Sequence, residues 1–204
     1  MDSDLAYLTP VKKAGLQFTV QGSKFIATLA PAESEAAGSE ILNTISAEFP
    51  DATHHSYAFR IGTGSALIER SSDDGEPAGT AGAPMLQILQ GRNVSDALVV
   101  GTRYFGGTKL GIGGLTRAYR ECARLSLEKA VLKTKEPLDS FQLQLAYEDL
   151  GAVTRLLESL EGEIIKAAYS EKVILEVSIP ARSSESLARG FESACRGRGS
   201  FKKL

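Results

Sequence analysis

Arg103-Tyr104-Phe105-Gly106-Gly107-Thr108-Lys109-Leu110-Gly111-Ile112-Gly113-Gly114-Leu115 is the most informative stretch of this 204-residue chain. It joins a buried strand, Ala97–Val100 extended through Phe105, to an amphipathic helix running from Leu115 to about Val131. Leu115, Ala118, Tyr119, Cys122 and Leu125 recur at helical spacing and form its inner face. Glycines at 106, 107, 111, 113 and 114 permit positive φ, which is expected at Gly113, and close approach of a ligand. A glycine loop that opens a helix offers unpaired N–H groups and the positive dipole end to an anion. Lys109 lies inside the loop and Arg103 just upstream. Arg117, Arg120 and Arg124 fall at i, i+3 and i+7, on a helix face away from Leu115 and Cys122. Arg103, Gly107, Lys109, Gly113, Gly114, Arg117, Arg120 and Arg124 are therefore a candidate phosphate cradle. The competing reading is tight strand-to-helix packing beside a solvated arginine face. GxxxxGK[ST] does not occur, so this is not a Walker A loop.

Toward the N-terminus, Leu16–Ala30 reads as a hairpin turning at Gln21-Gly22-Ser23. Ala37, Ile41, Ile45 and Phe49 predict an amphipathic helix that stops at Pro50. Thr53–Ile61 alternates as a strand, Gly62-Thr63-Gly64 is a turn, and Ala66–Glu69 is the expected returning strand. Ser71–Ala83 reads as a loop, followed by a short helix Met85–Gln90 with Pro84 in its first turn and Gly91 closing it. Asp73, Asp74 and Glu76 in the loop suggest oxygen ligands for a hard cation or a general base. The plainer reading is an acidic, solvated turn kinked at Pro77. His54 and His55 are adjacent on a strand, so they point to opposite faces and do not share one metal. His55 falls with Tyr57, Phe59 and Ile61 on the apolar face, while His54 is the one that can face a ligand. No second carboxylate cluster, HExxH, GxSxG or Cys–His arrangement is present. No metal, cofactor or catalytic residue is expected.

Toward the C-terminus, Lys133–Pro137 is charged, carries a proline and lacks periodicity, which marks a domain boundary. Beyond it the patterns read strand, helix, strand, strand, helix, strand, the order of a ferredoxin-like split βαβ unit. The fold class is α+β in two domains, residues 1–135 and 136–204.

Composition narrows the function. Residues 101–135 hold eight Lys and Arg against Glu121 and Glu128, a local charge of +6. Residues 181–204 carry +4, leaving −12 on the remainder and −2 overall. Two basic segments in an acidic chain suggest an anionic partner. Two lone cysteines, Cys122 and Cys195, fit a reducing cytosol. No apolar run approaches the roughly 18 residues that would span a bilayer. Asp2 and Asp4 precede any positive charge, unlike a secretory signal. A cytoplasmic location with no membrane partner is expected.

Asp73-Asp74-Gly75-Glu76-Pro77-Ala78-Gly79-Thr80-Ala81-Gly82-Ala83-Pro84 and the Arg103–Leu115 stretch resemble the paired signatures DGEPxGTxGxP and RYxGGxxLGxGGL of the YigZ/IMPACT family. With Gly22-Ser23-Lys24-Phe25-Ile26 and His54-His55, the resemblance covers most of residues 16–130. It implies a first domain similar to the second domain of ribosomal protein S5, and a second similar to a ferredoxin-like domain of a ribosomal elongation factor. Eukaryotic relatives modulate a stress-responsive kinase of translation initiation through a large partner protein, using an additional N-terminal domain. Only about fifteen residues precede the first family-like strand here, so that module is expected to be absent. The resemblance supplies no agreed reaction. The leading expectation is a non-enzymatic regulator that binds structured RNA or the ribosome. The alternatives are a regulator acting through a protein partner and an enzyme acting on a phosphorylated small molecule.

Overall fold

The computed structural model describes residues 6–204 and divides them into two compact units, residues 7–135 and 136–204, with Ala6 grouped with the second. In the first unit a five-stranded antiparallel sheet has the order β2-β3-β6-β4-β5: β2 Ala14–Val20, β3 Ser23–Pro31, β4 His54–Ile61, β5 Ile68–Ser72 and β6 Ala97–Tyr104. The β2–β3 connection is a two-residue turn in which Gln21 (φ +46°) and Gly22 (φ +81°) are both left-handed. That is the turn geometry whose twist matches a hairpin. The central strand β6 is buried from Ala97 to Arg103 because helices cover both faces of the sheet.

On one face lie α2 (Gly82–Gly91) and α3 (Gly111–Lys129), which enclose Phe25, Leu29, Ala58, Met85, Val99, Leu115, Tyr119 and Cys122. Tyr119 is fully buried, its ring edge-on to Phe25 at 5.5 Å. On the other face α1 (Glu35–Glu48) packs Ile45 against Phe59, Ile61, Leu98 and Val100. The Ser34 hydroxyl accepts from the Ala37 N–H and starts α1, as an N-cap serine does.

Three expectations shift. The strand after Gly64 is Ile68–Ser72, preceded by a short 3₁₀ turn at Gly64–Ala66. Helix α3 begins at Gly111, not Leu115. Residues 132–135 are not unpatterned linker: β7 (Leu132–Lys135) pairs antiparallel with β1 (Tyr7–Pro10). Asp96 fixes this ribbon to the domain. Its carboxylate accepts from Tyr7 Oη at 2.6 Å, Lys135 Nζ at 2.6 Å and the Gly62 N–H at 2.9 Å. The expected start of the first domain at Met1 lies outside the described residues.

The second unit follows the expected order: β8 Leu138–Leu145, α4 Leu150–Ser159, β9 Glu163–Tyr169, β10 Val173–Pro180, α5 Ser184–Ala194 and β11 Ser200–Lys203. Its sheet runs β11-β8-β10-β9, all antiparallel, which is the ferredoxin-like arrangement. Alternate residues Phe141, Leu143, Leu145 and Val173, Leu175, Val177, Ile179 face Val153, Leu157, Leu187 and Phe191 of its helices.

Candidate functional site

Strand register gathers the singled-out residues at one end of the first sheet. Lys24 pairs with Tyr104 and His54 with Arg103, so the β2–β3 turn, the start of β4 and the end of β6 lie side by side. The Asp73–Gly82 loop closes over the same end. Here the acidic turn departs from expectation. Glu76 is only 7% exposed, and its carboxylate accepts from Arg103 Nη1 at 2.8 and 3.0 Å and from Tyr119 Oη at 2.8 Å. Glu76 is therefore a buried counter-ion and not a solvated turn residue. Asp73 accepts from the N–H groups of Gly79 (2.7 Å), Ala81 (2.9 Å) and Gly82 (2.9 Å). Burial works to raise the Asp73 carboxyl, but these three donors outweigh it and hold it below the usual range. The same contacts place a carboxylate at the N-terminus of α2, where the helix dipole favours it. Asp74 is exposed and accepts from the His55 N–H at 2.6 Å.

The two histidines diverge as strand alternation requires. His54 Nδ1 lies 2.6 Å from the Asp74 carbonyl, which can only accept, so that nitrogen carries the proton. Its Nε2 faces Glu76 Oε2 at 3.9 Å. His55 Nδ1 meets Thr102 Oγ1 at 3.1 Å. Among the described residues no cluster of three or more His, Cys, Asp or Glu is arranged to hold a metal ion.

Arg103 does not sit in an open cradle. It is 5% exposed, with Nη1 on Glu76, Nη2 on Ser23 Oγ at 3.2 Å, and its guanidinium 5.7 and 5.5 Å from the centres of the Phe25 and Phe105 rings. Its Nε has no hydrogen-bond partner among the described residues. Arg124 is also withdrawn from the expected cation surface, because Glu121 and Glu128 both pair with it. Arg120 donates to the neutral Gln87 Oε1 at 2.7 Å and keeps its charge uncompensated. Lys109 and Arg117 are exposed and have no carboxylate partner among the described residues.

The glycines divide by role. Positive φ occurs at Gly107 (+85°) and Gly111 (+70°), not at Gly113, which together with Gly114 lies inside the first turn of α3. Gly106 abuts the β2–β3 turn so closely that a Cβ there would lie 2.0 Å from the Gly22 carbonyl carbon. Gly113 instead makes room for Arg117: a Cβ on it would lie 3.4 Å from Arg117 Nη1. The Arg117 guanidinium thus folds back over the first turn of α3. That turn has no acidic residue, and no side chain caps it. Beside it a groove of about 250 Å³ is lined by Val20, Gln21, Leu110, Gly114, Arg117 and Glu121. Sequence reasoning missed Phe105, which is 48% exposed although it reads as the end of a buried strand.

Fold and site together define a two-domain α+β protein with a closed, internally paired acidic loop and an open, cationic glycine–helix end. Residues 21–127 match the Impact N-terminal domain and residues 133–203 the elongation factor G C-terminus. The chain is 37% identical over 177 residues to the IMPACT family member YigZ of Escherichia coli, covering 86% of this chain and 87% of that one. It is 32% identical over 199 residues to the IMPACT family member YvyE of Bacillus subtilis, covering 97% and 91%. A solved structure described as that of a hypothetical protein superimposes with a TM-score of 0.72 at 34% identity, covering 98% of this chain and 97% of its own. The chain belongs to the IMPACT family. No described helix is long and apolar enough to cross a membrane.

Proposed function

We propose that the protein is a non-catalytic, translation-associated regulator that binds structured RNA or the ribosome through the N-terminal end of α3. The carrying observation is the contrast between two helix starts in one domain. At α2 the Asp73 carboxylate meets the positive dipole end. At α3 the corresponding place holds Arg117, preceded by Lys109, with no carboxylate in the first turn. A cation at a positive helix end is unfavourable by itself and becomes favourable when an anion shares the site. Phosphate oxygens are such anions, and contacts to them position a protein without reading sequence. The match of residues 133–203 to a translation factor's C-terminal domain supports placing that RNA in the translation apparatus.

The test is RNA affinity as a function of salt, with ribosome cosedimentation beside it. Lys109, Arg117 and Arg120 make about three phosphate contacts, so log affinity should fall against log salt with a slope of roughly −2 on single strands, at about 0.7 per contact. Lys109→Ala with Arg117→Ala should flatten that slope by about 1.4, whereas Arg124→Ala, already neutralised, should leave it unchanged. Equal slopes for the double variant and the unmodified protein would refute the cradle.

A further inference from the structure

We propose that Phe105 is a stacking platform for an unpaired nucleobase, so that RNA held by the α3 end is engaged at a loop, bulge or single-stranded segment and not along a continuous duplex. This inference rests on the RNA reading above and names the RNA class. Phe105 follows the last residue of β6 and is anchored there by its N–H donating to Thr53 Oγ1 at 3.0 Å. Its ring is held from one side by the Arg103 guanidinium at 5.5 Å, and that guanidinium is itself fixed by Glu76 and Ser23. Nearly half of the residue remains open to solvent. The ring is therefore pre-positioned, which lowers the ordering cost of a partner that stacks on it.

What surrounds the ring selects that partner. The adjoining loop carries Lys109 and leads to Arg117, both exposed and without carboxylate partners among the described residues. On the other face of the strand end Lys24 Nζ sits 3.9 Å over the Tyr104 ring. An aromatic face followed in the chain by the uncompensated cations Lys109 and Arg117 matches the two halves of a nucleotide, a flat base and its phosphate. Such platforms tolerate any base, because every base presents a π face. A duplex keeps its bases stacked and offers only phosphate to the cations, so it leaves Phe105 unused.

The chain contains no tryptophan, so Phe105→Trp places a single indole reporter at the platform. The full-length variant is titrated with single-stranded oligo(U) and oligo(A), a blunt RNA duplex, and inorganic polyphosphate of matched charge. Both single strands should quench the indole, while duplex and polyphosphate should bind without comparable quenching. Phe105→Ala and Phe105→Leu should each weaken single-strand binding on the order of tenfold and leave duplex and polyphosphate binding within about twofold. Undiminished single-strand affinity in Phe105→Ala, or equal quenching by polyphosphate, overturns the platform while leaving the phosphate cradle standing. If unmodified protein binds neither RNA nor polyphosphate, the cradle and the platform fall together.

Discussion

Replacing Glu76 by Ala should strongly destabilise the first domain. Glu76 and Arg103 are both nearly buried, with side-chain exposures of 3% and 6%, and the carboxylate also accepts from Tyr119. Removing one member of a buried pair leaves an uncompensated charge and costs about 3–5 kcal/mol. Unfolding entropy of about 2.1 cal/mol/K per residue, taken over residues 7–135, means that each kcal/mol moves the midpoint by about 4 °C. The expected fall is therefore roughly 11–18 °C, read by circular dichroism melting of the full chain. The double change Glu76→Met with Arg103→Met removes both charges together and should recover most of the loss, because no buried charge is left without a partner. A fall of under about 4 °C in Glu76→Ala, or a double variant no more stable than the single one, would refute the assignment of Glu76 as the counter-ion of Arg103.

Asp96→Asn tests the ribbon anchor. Burial raises the Asp96 carboxyl, yet bonds from Lys135, Tyr7 and Gly62 outweigh it and hold it low, so its contribution exists above the unfolded value near 3.9 and is lost as pH falls below it. The variant should be less stable at pH 7, and the difference should shrink below about pH 4 in urea titrations at several pH values. Burial and the Asp96 bond push the Tyr7 phenol up to about 12, so its contribution should persist below pH 10 and fade toward pH 12, a dependence that Tyr7→Phe should abolish in alkaline melts. Gly106→Ala should destabilise the first domain, because its Cβ meets the Gly22 backbone, whereas Gly113→Ala, at an ordinary helical φ, should be neutral or stabilising by up to about 1 kcal/mol in the same melts. Limited proteolysis should cut near residues 135–137 and leave two resistant fragments; early cuts within 140–200 with no stable C-terminal piece would count against two separately folded domains.

The second domain was legible because its signals are local: each strand alternates and each helix repeats within its own segment. The first domain was legible in its elements but not in its contacts. Asp73-Asp74-Gly75-Glu76 has the composition of a solvated turn, and nothing nearby reveals that Arg103 draws Glu76 inward. The pairing of Tyr7–Pro10 with Leu132–Lys135 joins the two ends of the domain, and a segment rich in lysine gives no periodic sign of it. Three glycines made Gly111–Gly114 look like loop, since glycine is a poor helix former. The structure nevertheless winds them into α3, where Gly114 sits so close to Leu110 that a Cβ would meet its side chain at 2.9 Å. Phe105 was hidden by its place at the end of an apolar strand, where burial is the ordinary reading.

The distribution of charge at this end of the domain decides what the site is suited to do. Both oxygens of Asp73 accept backbone N–H groups, both oxygens of Glu76 accept from Arg103, and one oxygen of Asp74 is taken by His55. These bonds tie the loop to its own backbone, to β4 and to Arg103. Their work is to close the loop over the sheet end and to fix Arg103 behind Phe105. The positive groups are arranged the other way, with Lys109 and Arg117 exposed and uncompensated at the start of α3. Negative charge is thus spent inward and positive charge is presented outward within a chain that is acidic as a whole. On the proposed RNA reading, the loop–helix junction is where such a charge distribution favours a polyanion. If Phe105 is the proposed platform, loosening the Glu76–Arg103 pair should free its ring as well as lower the melting midpoint. Glu76→Gln, which keeps an acceptor for Tyr119 but drops the charge, should accordingly weaken single-strand RNA binding more than duplex binding, even at temperatures where the domain remains folded.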